Sequence, residues 1–261
     1  MHTIRNYIMA ESLEQAWELN QKGRNNVIIG GNLWLKMGNR NILNAIDLST
    51  LGLDRIEEDE SGFRIGCMAT LRDIEMHEGL NKEFQNLFKE AVRHIVGVQF
   101  RNCATVGGSI FPKLGFSDVL TAFLACDTQV ILYKKGEVSL REFIYMPLDN
   151  DILTHIYVKK DGRKTAYESF RMTETDFPTL TCAMAMVDGR FETVLGARPK
   201  HAEVVIDEEL ADSLSKEDVA SYAKRGIDKL QYGSNIRGSK QYRKQLSKVL
   251  ISRCISRLTE E

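Results

Sequence analysis

Proline, long apolar runs and an excess of one charge are all missing from this sequence of 261 residues. Its four prolines exclude a proline-rich linker and are typical of an ordered globular chain. No apolar run approaches the ~20 residues of a membrane helix, and the first residues lack the apolar segment of a signal peptide. The net charge of −1 gives no general bias towards nucleic acid or membranes. We therefore expect a cytoplasmic protein of one large domain or two modest ones.

Cysteine and histidine are spread too thinly to form a local metal site. The two closest cysteines, Cys103 and Cys126, are 23 positions apart, and no C-x-x-C motif occurs. This spacing argues against a local iron–sulfur or zinc cluster and provides no disulfide framework, so we expect buried free thiols. The five histidines include no pair four residues apart and no H-E-x-x-H motif. We therefore expect no metal ligands in this chain.

Hydrophobic periodicity, capping residues and turn residues together predict an α+β chain. Ser12 and Gln15 make a capping box for the first helix, and Asp59 to Gly62 make the turn of a hairpin. The other predicted helices begin at Thr70, Asn81, Ser117, Ser215 and Ser239, and the Asn81 helix runs to Ile95 and is ended by Gly97. The predicted strands outside the hairpin are 25–29, 42–48, 128–133, 137–140, 152–160, 165–172, 178–187 and 190–197.

The pattern changes near residue 163, where alternating helices and strands give way to a meander. The last three predicted strands follow one another directly, with a turn at Asp188 and Gly189, and helices follow them. We therefore predict a C-terminal region at 164–261 with a three-stranded sheet and helices. The apolar stripe of the closing helix is Tyr242, Leu246, Val249, Leu250 and Ile255.

Two loops with adjacent glycines are the most informative local pattern. Residues 26–35 read NVIIGGNLWL, and residues 101–110 read RNCATVGGSI. One interpretation is a tight hairpin turn, because glycine adopts positive φ at little cost. The other is a ligand site, because missing side chains let a ligand approach the backbone and successive N–H groups form an anion nest. Asn32, Thr105 and Ser109 would add polar contacts, and two such loops suit the diphosphate of a dinucleotide such as FAD.

Other nucleotide-binding patterns are absent or incomplete. No G-x-G-x-x-G occurs, so a Rossmann nicotinamide site is unsupported. Residues 233–240 read GSNIRGSK, but Lys240 follows Ser239 and no strand leads in, which argues against a P-loop. The last 41 residues hold ten Lys or Arg against three Asp or Glu. Such a basic helix face is usually just solvated, although it could be a docking surface or, less favourably, bind nucleic acid.

Longer stretches of the chain resemble the FAD-binding, or medium, subunit of molybdenum hydroxylases, the xanthine dehydrogenase and carbon monoxide dehydrogenase family. The most specific stretch is IIGG followed by RNCATVGGSI and FSDVLTAFLACDTQVIL, in which Asp118 stands ten residues after Gly108 and opens an apolar helix. The resemblance continues through DILTHIYV, YESFRMTETDFPTLTCAMAM and GSKQYRKQLSKVLISRCISRL, and so spans nearly the whole chain. It implies a two-lobed FAD-binding domain at 1–163, with lobes at about 1–55 and 56–163. A flavoprotein C-terminal domain would follow at 164–261.

The resemblance also implies which residues bind FAD. The two glycine loops would hold the pyrophosphate and ribityl portions, and Asp118 would hold a ribose hydroxyl. Ile95 and Leu153 would flank the adenine, while Arg171 and Asp176 would approach the isoalloxazine. The full implied set is Ile28, Ile29, Gly30, Gly31, Asn32, Leu33, Trp34, Ile95, Thr105, Gly107, Gly108, Ser109, Ile110, Asp118, Leu153, Arg171 and Asp176. No obligatory catalytic acid or base and no metal ligand is implied in this chain.

Each position outside the loops also has a plainer interpretation. Ile95 and Leu153 could be core residues, and Arg171 and Asp176 could form a surface ion pair. Asp118 could be a helix-start acid that interacts favourably with the helix dipole. The sequence departs from the family pattern within the first loop, before Asp118, and where the family commonly has a lysine. The departing residues are Leu33, Trp34, Pro112, Lys113, Gly115 and either Glu168 or Ser169.

By resemblance, the chain is an FAD-carrying electron-transfer subunit. An iron–sulfur subunit and a molybdenum-cofactor subunit would hold the [2Fe–2S] clusters and the molybdenum. A purine or other N-heterocycle, or an aldehyde, would be hydroxylated at molybdenum, and electrons would pass through the clusters to FAD and then to NAD⁺ or another acceptor. The flavin carries the redox chemistry, and the protein positions it. The alternative is a self-sufficient flavin oxidoreductase on the same fold, although the sequence offers no clustered His, Tyr or Cys for a substrate pocket of its own.

Overall fold

The computed structural model describes residues 3–206 and 216–259, and its fold is α+β, as predicted. The chain forms two compact units, each assembled from three separated stretches. The first unit comprises Met1–Asp73, Val98–Pro112 and Thr128–Val158, and the second unit comprises Ile74–Gly97, Lys113–Asp127 and Lys159–Glu261. The domain boundaries expected near residues 55 and 163 remain predictions.

The helices within the described ranges are mostly short, and local signals set where several of them begin. In chain order they are α1 (Leu13–Gln21), α2 (Leu71–Met76), α3 (Glu78–Glu83), α4 (Leu87–Val92), α5 (Val98–Arg101), α6 (Val106–Ile110), α7 (Asp118–Leu124), α8 (Leu140–Phe143), α9 (Lys216–Lys229) and α10 (Lys240–Thr259), with a 3-10 helix at Leu35–Met37. The hydroxyls of Ser12, Ser117 and Ser239 each accept a bond from the backbone N–H three residues later, at 3.0–3.1 Å. These three predicted helix starts are therefore confirmed. None of the helices in the described ranges is long and apolar enough to cross a membrane.

The first unit begins with a three-stranded parallel sheet in the order β1-β3-β2. Its strands are β1 (Thr3–Met9), β2 (Asn26–Ile29) and β3 (Asn41–Asp47), and α1 connects β1 to β2. Three asparagines form a ladder across the sheet, because Asn6 donates to Asn44 at 3.0 Å and Asn44 donates to Asn26 at 2.9 Å. Strands β2 and β3 confirm the strands predicted at 25–29 and 42–48. Strand β1 has no clear sequence signal, since exposed residues occur on both of its faces.

The second sheet of the first unit has five strands in the order β4-β5-β8-β6-β7. Its strands are β4 (Ile56–Glu58), β5 (Gly62–Gly66), β6 (Thr128–Leu132), β7 (Gly136–Ser139) and β8 (Leu153–Lys159). The predicted hairpin turn is confirmed, since the Asp59 N–H donates to the Gly62 carbonyl at 3.0 Å. Thr70 and Asp73 cap α2 as predicted, because each side chain bonds the other residue's backbone N–H at 2.8–3.1 Å.

The second unit is built on a four-stranded antiparallel sheet in the order β12-β11-β10-β9. Its strands are β9 (Lys164–Arg171), β10 (Pro178–Val187), β11 (Arg190–Gly196) and β12 (Glu203–Ile206). The meander β9-β10-β11 confirms three predicted strands, but the prediction of a three-stranded sheet is wrong because β12 pairs with β11. Only four residues long, β12 gives too short an alternation to be recognised. The helix start predicted at Ser215 lies outside the described residues.

Helix α10 covers strands β9 and β10 and forms the core of the second unit with them. The buried members of its predicted stripe are Leu246, Leu250 and Ile255. Tyr242 and Val249 are instead 43% and 45% exposed. In the first turn Arg243 takes the buried position in place of Tyr242, and Val249 lies about 100° around the helix from Leu250.

Four of the five cysteines are buried free thiols, as expected. The buried ones are Cys67, Cys126, Cys182 and Cys254. Cys103 is exposed because it lies in the loop that leads to the second pair of glycines. Burial raises the pKa of the Cys67 thiol to about 12, so this thiol stays protonated and unreactive near neutral pH.

The helix predicted from Asn81 to Ile95 is wrong, because two short helices, α3 and α4, occupy this region. Between them the chain leaves helical geometry at Gln85 and Asn86, whose φ angles are 44° and 62°. The Asn81 side chain stabilises the break: its amide donates to three carbonyl oxygens at 2.9–3.0 Å, and its oxygen accepts from the Lys89 N–H at 3.1 Å. The apolar spacing continues through this break, so periodicity alone does not reveal it.

The end of the same region also differs from the prediction. Helix α4 ends at Val92, well before Gly97. The chain turns at Val96, whose φ of 52° is unusual for a β-branched residue. Ile95 therefore lies beyond the helix, half-buried, with its N–H bonded to the Val92 carbonyl at 2.8 Å.

We predict that Asn81→Ala lowers the free energy of unfolding by about 2–3 kcal/mol, because it leaves buried carbonyls and the Lys89 N–H without partners. Urea unfolding followed by far-ultraviolet circular dichroism would measure this. The matched control is Lys82→Ala, an exposed residue of the same helix, which should cost less than about 0.5 kcal/mol. Equal costs for the two variants would contradict the role given to Asn81.

Candidate functional site

The first glycine loop leaves the carboxyl end of β2 and leads into the 3-10 helix. Asn32 adopts a φ of 55° there, a conformation that asparagine tolerates better than most residues. Its side-chain oxygen, Oδ1, is buried and has no hydrogen-bond partner within the described residues. A buried acceptor without a donor costs about 1–3 kcal/mol, so it calls for an explanation such as a bound ligand.

The second glycine motif forms the single-turn helix α6, and Thr105 is its N-cap. Its first three N–H groups already donate within the protein. Val106 donates to Ala69 at 2.8 Å, Gly107 to Cys67 at 2.9 Å, and Gly108 to the Thr105 hydroxyl at 3.1 Å. The anion nest expected at these residues is therefore wrong as a description of their backbone.

The two glycine loops pack directly against each other. A Cβ on Gly31 would overlap the carbonyl oxygen of Cys103, and one on Gly30 would overlap the Thr105 hydroxyl. Neither glycine has positive φ, so the hairpin-turn interpretation is wrong for this pair. Glycine is required here because another backbone occupies the space of a side chain.

Neighbouring atoms also leave little room for a side chain at the two glycines of α6, and less at Gly107 than at Gly108. A Cβ on Gly107 would lie 2.7 Å from both the Cβ and the carbonyl oxygen of Cys67. A Cβ on Gly108 would meet only the Thr105 hydroxyl, at 2.9 Å. Both glycines are helical, so the hairpin interpretation is wrong for this pair too.

The remaining implied residues of the first unit differ in exposure. Ile29, Ile110 and Leu153 are buried, so only a core role is visible for Leu153. Trp34 is exposed, and Ser109 donates its hydroxyl to the Thr105 carbonyl at 2.9 Å. Ile28 and Leu33 are half-buried.

In the second unit, Asp118 lies at the start of α7 and is buried in a charged cluster. Its Oδ1 accepts bonds from the Tyr167 hydroxyl and from Arg171 Nη2, both at 2.6 Å. Burial raises the pKa of Asp118, and the Arg171 charge and the Tyr167 hydroxyl oppose that shift. Burial and the Asp118 carboxylate raise the pKa of Tyr167 well above its usual value, so Tyr167 remains a donor. Asp118 is therefore more than a helix-start acid.

Arg171 and Asp176 do not form the surface ion pair considered from the sequence. Arg171 Nη1 donates to the backbone carbonyl of Asp176 at 3.1 Å, while its charge pairs with Asp118. The Asp176 carboxylate pairs instead with Arg237, whose Nη2 and Nε donate at 2.8 and 3.1 Å. The Arg171 side chain is only 6% exposed, and its Nε is buried without a partner among the described residues.

Sequence reasoning misses Tyr167 and Arg237. Tyr167 has a usable signal, because strand periodicity places it on the same face of β9 as Ser169 and Arg171. Arg237 has none, since its partner Asp176 is 61 residues away along the chain.

The arrangement suits a ligand that offers both a donor and an acceptor. Asn32 Oδ1 can accept a hydrogen bond, and Arg171 Nε can donate one. A polar organic cofactor could satisfy either atom. Within residues 3–206 and 216–259, no group of three or more His, Cys, Asp or Glu side chains is placed to hold a metal ion.

Comparison with known proteins gives consistent matches. A family model described as "FAD binding domain in molybdopterin dehydrogenase" matches residues 2–158. The glyceraldehyde dehydrogenase medium chain of Sulfolobus acidocaldarius is 26% identical over 267 residues, which are 94% of each chain. The 6-hydroxypseudooxynicotine dehydrogenase complex subunit alpha of Paenarthrobacter nicotinovorans is 23% identical over 286 residues, covering 96% of this chain and 93% of the relative. A chain of carbon monoxide dehydrogenase from Hydrogenophaga pseudoflava shares the fold, with a TM-score of 0.87, 23% identity, and coverage of 97% of this chain and 96% of its own.

We predict that Gly31→Ala destabilises the chain without FAD by about 3 kcal/mol or more, because the new methyl group would collide with the Cys103 carbonyl. Gly108→Ala should stay within about 1 kcal/mol of wild type, because it meets only a hydroxyl and gains helix propensity. Urea unfolding of both variants would test this. A Gly31→Ala protein as stable as wild type would contradict the packing of the two loops.

We further predict that Asp118→Asn lowers the free energy of unfolding of the chain without FAD by about 3 kcal/mol, since Arg171 would be left buried without a counter-charge. Tyr167→Phe is the comparison, because it removes one hydrogen bond and no charge, at a cost of about 1–2 kcal/mol. A helix-start acid would contribute only a few tenths of a kcal/mol. An Asp118→Asn loss of that small size in thermal unfolding would refute the buried pair.

Proposed function

The chain belongs to the family of FAD binding domains in molybdopterin dehydrogenases, and from this premise we propose that it is the FAD-carrying subunit of a molybdenum hydroxylase complex. The observation that carries the proposal is the packed pair of glycine loops beside the unpartnered, buried Asn32 oxygen. A ligand donor would remove the energetic cost of that orphaned acceptor. FAD, when bound, would supply the redox chemistry of the subunit.

The residues of this chain would bind and position the cofactor. In the first unit, Asn32 Oδ1 would accept a hydrogen bond from FAD. Because the first N–H groups of α6 are already used, contacts of this motif with FAD would come from elsewhere in the motif, such as the Ser109 hydroxyl. Ile29 to Leu33 and Thr105 to Ile110 remain the residues proposed to bind the pyrophosphate and ribityl portions of FAD.

In the second unit, Arg171 would be the positioning and donating residue. Its Nη2 is fixed by the Asp118 carboxylate and its Nη1 by the Asp176 carbonyl, which leaves Nε–H to donate to the cofactor. The contact of Asp118 with a ribose hydroxyl stays a proposal, as do the adenine contacts of Ile95 and Leu153. Asp176 near the isoalloxazine also remains a proposal.

The other parts of the proposed reaction belong to partner chains. The relative from S. acidocaldarius is named as a medium chain, and the one from P. nicotinovorans as a subunit of a complex. We propose an iron–sulfur subunit and a molybdenum-cofactor subunit as partners, with electrons passing to FAD and then to NAD⁺ or another acceptor. The substrate oxidised at molybdenum would be an aldehyde, or a purine or other N-heterocycle. A cytoplasmic location, the division into 1–163 and 164–261, and the self-sufficient oxidoreductase as the alternative all remain predictions.

We predict that the isolated wild-type chain takes up one FAD and that Asn32→Gly weakens its affinity roughly tenfold, because one hydrogen bond is lost. Glycine accepts the positive φ of residue 32 and removes the orphaned acceptor, so the chain without FAD should be at least as stable as wild type. Flavin fluorescence titration and thermal unfolding would give the two values.

The matched control is Asn39→Gly, an exposed asparagine close by in the sequence, which should leave the affinity unchanged. Failure of the wild-type chain to bind FAD would overturn the proposed function. Turnover by the isolated chain, with a donor other than a reduced iron–sulfur partner, would favour the self-sufficient alternative.

A further inference from the structure

The segment that resembles a P-loop, Gly233–Gly238, forms an unusually well-anchored turn in the second unit. Asn235 and Gly238 exchange two backbone hydrogen bonds, each 3.1 Å long. The side-chain oxygen of Asn235, Oδ1, also accepts a hydrogen bond from the backbone N–H of Arg237 at 2.9 Å. We call this segment the anchored turn. These hydrogen bonds all lie within the segment itself, so they define the shape of the turn locally.

Arg243 attaches the anchored turn to the body of the second unit. Its guanidinium is fully buried and donates to the Gly233 carbonyl at 3.0 Å, to Asn235 Oδ1 at 2.6 Å and to the Gly238 carbonyl. Its Nε donates to the carbonyl of Thr179 on β10 at 2.9 Å. A buried charge is costly unless it is fully hydrogen-bonded. The acceptors in the turn therefore stabilise the buried arginine, and the arginine in return stabilises the turn.

Arg237 attaches the same turn at a second point. It donates to both carboxylate oxygens of Asp176 and lies 4.8 Å above the Phe177 ring. The hydrogen bond from Arg237 is the main reason that the pKa of Asp176 is lowered. Two arginines therefore attach the turn to different parts of the second unit, Arg237 to Asp176 and Arg243 to Thr179.

Ile236 stands between these anchors and faces solvent. Its side chain is 94% exposed, the highest exposure among the large apolar residues of the described chain. A single exposed apolar residue is ordinary on a protein surface. This one is different because its backbone is held rigid by buried charge, so little conformational entropy is lost when a partner covers it.

Helix α10 extends the apolar surface away from the anchored turn. Tyr242 packs beside the turn, with its ring 3.2 Å from the position of a Cβ on Gly238, and is partly exposed. Val249 is exposed two helical turns further on, on the same side of the helix as Tyr242. We call the surface of Ile236, Tyr242 and Val249 the Ile236 face.

The surroundings of the Ile236 face are basic. Lys248 lies next to Val249, and Arg253, four residues beyond it, has a side chain that is 61% exposed and lies 4.0 Å from the Glu168 carboxylate. Helix α10 has no acidic residue, and its basic residues outside the core are Lys240, Lys244, Lys248, Arg253 and Arg257. Among these, Lys244 pairs with Asp228 and Arg257 pairs with Glu168. Apolar residues inside a charged rim are typical of a protein interface, and this rim would attract carboxylates.

We propose that the Ile236 face docks another protein subunit of the same complex, through an apolar socket on that subunit rimmed by aspartate or glutamate. The proposal rests on the proposed function for the existence of such a subunit. Ile236 would be the central anchor of the interface, because rigid and well-packed apolar residues contribute most of the binding energy of interfaces. Nucleic acid and a second copy of this chain are the competing occupants.

The test uses the full-length, tagged chain purified from its own cells under mild conditions. The wild-type chain should elute with iron and molybdenum, which identify partner subunits by their chemistry. Ile236→Asp should lower the iron and molybdenum per tagged chain roughly thirtyfold, since an interface hot spot contributes about 2 kcal/mol. Leu148→Asp is the matched control, because Leu148 is an exposed leucine of the first unit, and it should retain both metals.

Several outcomes would overturn the inference. Full retention of both metals by Ile236→Asp, or an equal loss in the Leu148→Asp control, would exclude the Ile236 face as the docking site. A wild-type dimer that Ile236→Asp dissociates in light scattering would identify a second copy as the occupant. Salt-sensitive binding to DNA that the variant loses would identify nucleic acid.

FAD binding separates this inference from the proposed function. The isolated wild-type and Ile236→Asp chains should bind FAD equally and melt at the same temperature. If the wild type binds no FAD, the proposed function fails, whereas a dependence of assembly on Ile236 would still support the docking surface. If the wild type binds FAD but elutes without iron or molybdenum, the docking proposal fails alone.

Discussion

The contact between two backbones at Gly31 and Cys103 is the constraint on which the first unit depends. A carbonyl oxygen of one loop fills the place that a side chain would take in the other. This close approach joins the end of β2 to the segment before α6, although they are some 70 positions apart in the sequence. The loop constrained in this way carries Asn32, whose side-chain oxygen is buried without a partner among the described residues. The glycines therefore have a packing role that does not depend on any ligand.

In the second unit, buried arginines are the main constraint on the positions of neighbouring segments. Arg171, Arg198 and Arg243 are all buried, and each has a different set of partners. Arg171 has the Asp118 carboxylate, and Arg198 has Glu203 at 2.9 Å together with three carbonyls. Within the part of the chain that the structure describes, Arg243 has only uncharged acceptors. Loss of any one partner leaves a charge poorly compensated in a low-dielectric interior. Such sites tolerate little displacement, so they hold the surrounding segments at defined positions.

The sequence predicts those features that depend on neighbouring residues. Capping serines locate the starts of α1, α7 and α10, and alternating apolar residues locate β9, β10 and β11. The motif around Gly107 and Asp118 identifies the family, because its residue types and spacing are unusual. What the sequence does not predict is set by distant partners. The bond from Tyr167 to Asp118 and the collision that requires Gly31 both involve residues brought together only by folding. The break in the helix after Asn81 is local, but it depends on side-chain hydrogen bonds that the apolar spacing does not reveal.

The interleaving of the two units has a consequence for how the chain is made on the ribosome. Helices α3, α4 and α7 are synthesised early, but they belong to a unit whose sheet begins only at Lys164. The ring centroids of Phe88 and Phe123 lie 4.6 Å apart. Both residues belong to this unit and precede all four strands of its sheet. The nascent chain therefore carries apolar helices without their sheet until β9 and β10 emerge, at about 5–20 residues per second. Such long-range pairing slows folding and prolongs exposure to aggregation, so the early helices are the segments that a nascent-chain chaperone would have to protect.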